Sequence, residues 1–406
     1  MEYISGGVTA PEGFKAIGIA ANIKKNRKDM AMLFSQVPCA AAGTFTSNVV
    51  KAAPVLWDRQ IVREKKQAQA VVMNSGIANA CTGKEGMDCC QATADEAAEA
   101  LGIDADLVLC ASTGVIGAQL PMDKIRAGIR TMAPLLSDSP EAGTLAAQAI
   151  MTTDTKKKEI AVRFEAGGKT VTIGGMSKGA GMIHPNMCTM LAFLTTDCNI
   201  SADMLALALS SDISKTYNMI SVDGDTSTND TCIILANALA GNEKITAPGK
   251  DFDAFCEALN MVNTWLAKHM AADGEGATCL FEVTVEGASS HEQAVTLAKS
   301  VITSNLVKTA IAGHDANWGR ILCAMGYSGA SFDPDKVDLW FESANGTLQI
   351  ISGGTAADYS EETATKILSA PEITARIQMH AGEHTATAWG CDLTHEYISI
   401  NADYRS

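Results

Sequence analysis

Nowhere in the 406 residues does an apolar run approach the roughly 18 residues that a membrane-spanning helix needs, so no bilayer span is expected. The opening MEYISGGVTAPEGF lacks the basic stretch and apolar core of a secretory leader. None of the twelve cysteines belongs to a CxxC pair, and apart from adjacent Cys89-Cys90 they are scattered. That spacing argues against a zinc site or a disulfide scaffold and for reduced thiols in a cytoplasmic protein. Positive charge is also short: 31 Lys and Arg face 46 Asp and Glu, a net −15. Such a balance argues against nucleic acid or an anionic membrane surface as partner. Aromatic residues make up only 5%.

What is present is a globular composition, 47% hydrophobic and 19% charged, rich in Ala, Gly and Met, which suits tightly packed α/β layers. The length allows two or three domains, or one large domain with an inserted unit. We expect a main α/β domain over 1–285, a smaller α/β unit over 286–380, and terminal strands with a tail over 381–406. Periodicity predicts strands at 71–73, 107–111, 160–164, 170–173, 231–235 and 280–285, and helices at 91–101, 123–132, 144–151, 202–215 and 252–272. An opening strand is expected within 6–24. Further on, helices are expected at 291–304 and 361–368, and strands at 306–312, 337–342, 348–351, 372–377, 384–392 and 395–400. The pair 160–164 and 170–173 flanks Ala166-Gly167-Gly168-Lys169 and reads as a hairpin.

The chain is organised around Gly174 to Asp197, GGMSKGAGMIHPNMCTMLAFLTTD. A loop this rich in glycine is expected to lead, through His184-Pro185-Asn186, into a buried strand starting at Thr189. One reading is a tight turn before a core strand. The other makes Thr189 a nucleophile. A threonine hydroxyl needs an adjacent base, and a free N-terminal amine can be that base. Because Thr189 is internal, this reading requires the chain to break between Cys188 and Thr189. A phosphate-cradling loop is excluded, since Lys178 precedes its glycine and a strand rather than a helix follows.

Other polar motifs are spaced along the chain. Asn74 to Gly83 is a polar loop after a strand. Ser112-Thr113-Gly114 closes a buried strand and offers a hydroxyl beside a backbone N–H, the parts of an oxyanion hole. Thr152-Thr153-Asp154-Thr155 ends a helix. Ser221 to Asp230 is dense in acids and hydroxyls, but no glutamate closes a calcium loop starting at Asp223. Glu275 sits between glycines, a perch from which a carboxylate can reach an amino group. His314 lies in a turn and is read as structural rather than as a general base.

Taken together, GGVTAPEGF, NSGIANA, STGVIG, TTDT, KGAGMIHPNMCTML, DGDTSTND, GHDANWGR and the terminal NADYRS resemble, in order, the motifs of the ornithine acetyltransferase family, the glutamate N-acetyltransferases of arginine biosynthesis. Two positions depart from the usual pattern: Ile77 replaces a polar residue, and Cys188 stands where alanine is usual. The resemblance implies an N-terminal-nucleophile-type layered α/β fold, shared with β-aminopeptidases. It also implies self-cleavage into chains 1–188 and 189–406 and an α2β2 assembly. Acetyl would pass from N2-acetyl-L-ornithine to L-glutamate by ping-pong chemistry through Thr189, with no metal or organic cofactor. It assigns Thr113 and Gly114 to the oxyanion hole, and Thr152, Lys178, Thr189, Glu275, Asn401 and Ser406 to substrate. Three alternatives stay open: acetyl-CoA as a second donor, amide hydrolysis as in the aminopeptidases, and a non-catalytic ligand-binding protein.

Overall fold

The computed structural model describes residues 1–184 and 190–403. The chain divides into two compact units. The first comprises 1–182, 186–218 and 225–266; the second comprises 183–185, 219–224 and 267–406. Both are mixed α/β, and the second is the smaller.

Among the described residues of the first unit, nine strands form one sheet. They are β1 (Glu2–Ile4), β2 (Phe14–Ile19), β3 (Met30–Phe45), β4 (Gln67–Ile77), β5 (Val108–Val115), β6 (Lys158–Ala166), β7 (Lys169–Lys178), β8 (Leu191–Thr196) and β9 (Thr231–Ala236). Their order is β1-β6-β7-β8-β9-β3-β4-β5, with β2 also paired to β3. Two neighbouring pairs run parallel, β4 with β5 and β8 with β9.

Consecutive residues of one strand enter different cores. Ala31, Leu33, Val71 and Met73 pack with Ile61, Val62, Ala146 and Ile150 in one cluster. Met30, Met32, Ala70 and Val72 pack with Ala94, Ala97, Ile125 and Ile129 in another. Helices therefore cover both faces, and the strands read as continuous apolar runs rather than alternating ones.

The expected hairpin is present and longer than the pattern suggested, reaching Lys158 on one side and Ser177 on the other. Its two-residue turn places Gly167 at φ 57° and Gly168 at φ 70°, the doubly positive geometry that matches strand twist. Gly174 and Gly175 were expected to lie in a loop, but both are paired residues of β7. Their glycine character answers a packing need. A Cβ on Gly174 would stand 2.0 Å from the Gly7 carbonyl oxygen, and one on Gly175 would meet Leu194, Val262 and Leu266.

Other boundaries also move. Of the expected opening strand at 6–24 only Phe14–Ile19 forms, following Pro11 and Gly13 (φ 79°), while β1 lies before it. β4 continues through Asn74 to Ile77 over a bulge, and β8 begins at Leu191 rather than at Thr189. Cys188 and Thr189 lie outside the described residues.

The second unit holds β10 (Leu280–Ala288), β11 (Asp338–Ser343), β12 (Gly346–Ser352), β13 (Thr355–Ala356), β14 (Glu372–Gln378) and β15 (His384–Cys391). They are ordered β13-β12-β11-β14-β10-β15, with β10 and β14 parallel. The helix His291–Thr303 buries Ala294, Leu297, Ala298, Val301 and Ile302, one stripe at helical spacing.

Two expected strands are helices. Residues 305–312 form a helix capped by Ser304, whose hydroxyl accepts from Val307 N. Its buried residues Val307, Ala310 and Ile311 recur with helical period, a signal too short to separate from a strand by pattern alone. Residues 395–402 form a helix capped by Thr394 that buries no side chain, so the short alternation at 395–400 did not mark a buried face.

Gly174→Ala tests the close packing of β7 on the Gly7 loop. Over-packing of this kind costs about 1–3 kcal/mol, and urea unfolding of the purified variant measures it. An unchanged midpoint would show that the loop yields freely.

Candidate active site

In the first unit the parallel pairing of β4 and β5 sets the STG motif. The register shifts at Gly76 and Ile77, so that Ile77 pairs with both Thr113 and Val115. Buried amides hold this irregularity. Asn74 Nδ2 donates to Ile77 O at 2.9 Å, and Ser112 Oγ donates to Asn74 Oδ1 at 2.7 Å. Asn229 Nδ2 donates to Ala78 O and Ser112 O at 2.7 and 2.8 Å. Gly114 lies at φ 132°, and a Cβ there would stand 2.3 Å from the Gly76 carbonyl carbon. Only glycine satisfies both the backbone angle and the close approach.

Lys178, the last residue of β7, is buried beside this bulge. Its Nζ donates to Thr113 Oγ1 at 3.3 Å. A hydroxyl that accepts from an ammonium has its own proton free and more acidic, so Thr113 is poised to donate toward a negatively charged oxygen.

Asp154, the acid of the TTDT motif, anchors the surroundings. Its Oδ1 accepts from Lys158 Nζ and from Gly179 N, both at 2.7 Å, and its Oδ2 accepts from Thr152 N at 3.0 Å. Burial alone would raise this carboxyl, but Lys158, Lys178 and the hydrogen bonds outweigh it and hold the group at about 2. One carboxylate thus positions Thr152 and the residue after Lys178.

Lys24, which motif reading did not single out, completes the cluster. Its Nζ donates to Met151 O at 2.8 Å. Burial, with the charges of Arg27 and Lys178, brings it down to about 8 against the pull of Asp29 and Asp154. Four cations (Lys24, Arg27, Lys158, Lys178) thus stand among three carboxylates (Asp29, Asp154, Asp230) in a chain of net charge −15. A cluster with more cations than carboxylates favours an anionic ligand.

Asp230 lies at the start of β9. Its Oδ1 accepts from Met190 N at 3.0 Å, and Thr231 N donates to Met190 O at 3.0 Å. The residue after Thr189 is therefore pinned by both its backbone groups. Burial pushes the Asp230 carboxyl well above the usual range, against the Met190 N–H and the Lys178 charge.

In the second unit Ile183 is held similarly: its N–H donates to Asp223 Oδ1 at 2.9 Å and its carbonyl accepts from Val222 N at 2.9 Å. Glu275 and Asn401 meet there, with Asn401 Nδ2 donating to Glu275 Oε2 at 2.7 Å. The helix His395–Ala402 comes close because residue 276 lacks a side chain; a Cβ there would lie 2.6 Å from Tyr397 N. His314 is exposed in a turn at φ 54°.

Within the first unit, then, Thr113, Gly114, Thr152 and Lys178 surround one bulge and one carboxylate; within the second, Glu275 and Asn401 form a pair. Ser406, like Cys188 and Thr189, lies outside the described residues.

The ArgJ family model matches residues 15–406. This chain belongs to the ArgJ family. It is 54% identical over 409 residues to the arginine biosynthesis bifunctional protein ArgJ of Symbiobacterium thermophilum, covering 100% of both chains. It is 49% identical over 397 residues to the protein of the same name from Thermotoga neapolitana, covering 98% of this chain and 99% of that one. An ornithine acetyltransferase solved with ornithine, from Mycobacterium tuberculosis, is 42% identical over 45% of this chain and 97% of its own, with a TM-score of 0.42. The family expected from the ordered motifs is thus the family found, and with it the layered α/β fold of the ArgJ proteins.

Asp154→Ala leaves Lys158 buried without its carboxylate, which costs about 3–5 kcal/mol. Thermal unfolding should register that loss. Because Asp154 is depressed to about 2, its contribution is present above the unfolded carboxyl pKa and fades as pH falls toward 2. The wild-type and variant stability curves should therefore converge in acid.

Proposed function

We propose that this chain cuts itself between Cys188 and Thr189 and then carries an acetyl group on Thr189 from N2-acetyl-L-ornithine to L-glutamate. As an ArgJ family member it is an acetyltransferase of arginine biosynthesis. The full-length family match carries that reaction class. The donation of Lys178 to the Thr113 hydroxyl carries the mechanism.

In maturation the Thr189 hydroxyl attacks the Cys188 carbonyl carbon. The peptide C–N bond breaks as the ester forms, freeing the amine of Thr189, and water then hydrolyses the ester to the Thr189 hydroxyl and the carboxylate of Cys188. In turnover that amine accepts the hydroxyl proton while Oγ1 attacks the acetyl carbonyl. The tetrahedral oxygen takes hydrogen bonds from the Thr113 hydroxyl and the Gly114 N–H. Collapse releases ornithine, whose amine takes the proton, and glutamate then accepts the acetyl group by the reverse steps.

Lys178 serves two ends in this scheme: it polarises Thr113, and with Lys24 it attracts substrate carboxylates. Thr152 contacts substrate from beside Asp154. Glu275 pairs with the ornithine amine, and Asn401, holding Glu275, helps orient it with Ser406. Acetyl-CoA is a second donor, a reading favoured by the word bifunctional in the relatives' names. The two product chains remain together as α2β2 in the cytoplasm. Among the described residues no helix is long and apolar enough to cross a membrane.

Thr189→Ala should run as one uncut chain near 42.5 kDa with no transfer activity, while wild type gives two bands. A cut, active variant would remove Thr189 from the mechanism. Thr113→Ala should lower kcat about 10²–10³-fold, the cost of one oxyanion donor, with little change in KM.

The substrate carboxylate is attracted by Lys24 only while that lysine is charged. Since it titrates near 8, KM for N2-acetyl-L-ornithine should rise as pH passes from 7 to 9. In Lys24→Met that rise should be absent.

A further inference from the structure

A second basic site lies in the first unit, away from the bulge. The helix Ala53–Glu64 turns Ala53, Val55, Asp58, Ile61 and Val62 inward. Arg59 and Arg63, one turn apart on that helix, line a groove of about 490 Å³ together with Lys51, Thr44, Thr46 and Ser210.

Three features mark this groove as built for an anion. Like charges at i and i+4 oppose helix formation, and no acid stands three or four residues from either arginine. Among the described residues neither guanidinium takes part in an ion pair, whereas the adjacent Lys65 and Lys66 reach Asp106 and Asp203 at 2.7 and 2.6 Å. Arg59 and Arg63 thus stand outside the ion pairs of the described residues in a chain of net charge −15. Finally, Thr44 lines the groove, and its hydroxyl oxygen is buried with no hydrogen-bond partner among the described residues.

The position of the groove indicates its ligand. β3 ends there, Phe45 pairs with Thr231, and Thr231 pairs with Leu191, the first residue of β8. Two strand spacings, about 10 Å, thus separate the groove from the strand that follows Thr189 by two residues. Thr46 is tied to the same region, with its N–H donating to Asp230 O at 3.0 Å and Asp230 holding Met190.

We propose that Lys51, Arg59 and Arg63 bind the phosphates of a coenzyme A thioester, the acetyl donor for glutamate, with the pantetheine arm running along the end of β3 toward Thr189. Guanidinium groups grip phosphate oxygens in pairs. The extended arm is longer than the distance to be covered. This assignment rests on the reading of the chain as an acetyltransferase that also uses acetyl-CoA.

The double variant Arg59→Gln, Arg63→Gln tests it in the mature enzyme. Adenosine 3′,5′-bisphosphate, which keeps the 3′-phosphate and the inner 5′-phosphate and lacks the acyl arm, is titrated by calorimetry, and both donors are assayed with glutamate. The expected result is a loss of bisphosphate affinity of about tenfold or more and a matching rise in KM for acetyl-CoA, with transfer from N2-acetyl-L-ornithine unchanged; tenfold corresponds to about 1.4 kcal/mol.

Absence of bisphosphate binding to wild type overturns the site. Bisphosphate binding with an unaltered KM for acetyl-CoA overturns the donor assignment and makes the groove an effector site. A wild-type enzyme inactive with N2-acetyl-L-ornithine would instead refute the proposed transfer, while the titration would still decide the groove.

Discussion

The carboxylate of Asp154 is the constraint on which the first unit's site depends. It is buried, yet it stays ionised because Lys158 lies within 2.7 Å and two backbone N–H groups point at it. Those two N–H groups belong to Thr152 and Gly179, residues 27 positions apart in sequence. A buried ion pair adds little net stability over apolar packing, but it fixes geometry, because losing either partner is costly. Here the fixed geometry is that of the chain on either side of Lys178.

From that point the polar contacts spread in order. Lys178 reaches Thr113, Thr113 shares its strand with Gly114, and Gly114 occupies a bulge held by Asn74, Ser112 and Asn229. Lys24 adds charge to the same place. Each side chain is held by others that are themselves hydrogen-bonded, which is the preorganisation that an oxyanion site requires. In the acid-rich stretch 221–230, Asp230 accepts from the Met190 N–H in the first unit, and Asp223 accepts from the Ile183 N–H in the second.

Much of this was legible in the sequence where the signal is local. The Gly-Gly hairpin and the helix Glu361–Leu368 emerge where expected, because turn chemistry and an amphipathic stripe with a Ser cap act over a few residues. The helix Asn305–Ala312 was hidden because a run of eight residues carries too few repeats to separate one period from another. Gly174 and Gly175 misled for a different reason. Glycine marks both loops and close packing, and only the position of the Gly7 loop distinguishes them. Neither Asp154 as an anchor nor Lys24 as a neighbour of Lys178 was readable, since both depend on tertiary contacts between distant segments. The family motifs did mark Thr113, Lys178, Glu275 and Asn401, and the structure places the first two side by side and the last two in contact.

The terminal helix His395–Ala402 buries no residue of its own. It is fastened by polar contacts, Asn401 to Glu275 and Thr394 to the Gly276 carbonyl. Peeling it away therefore exposes almost no apolar surface and breaks only a few water-replaceable bonds. The contact that holds Glu275 thus rests on hydrogen bonds for which water competes, not on buried apolar surface.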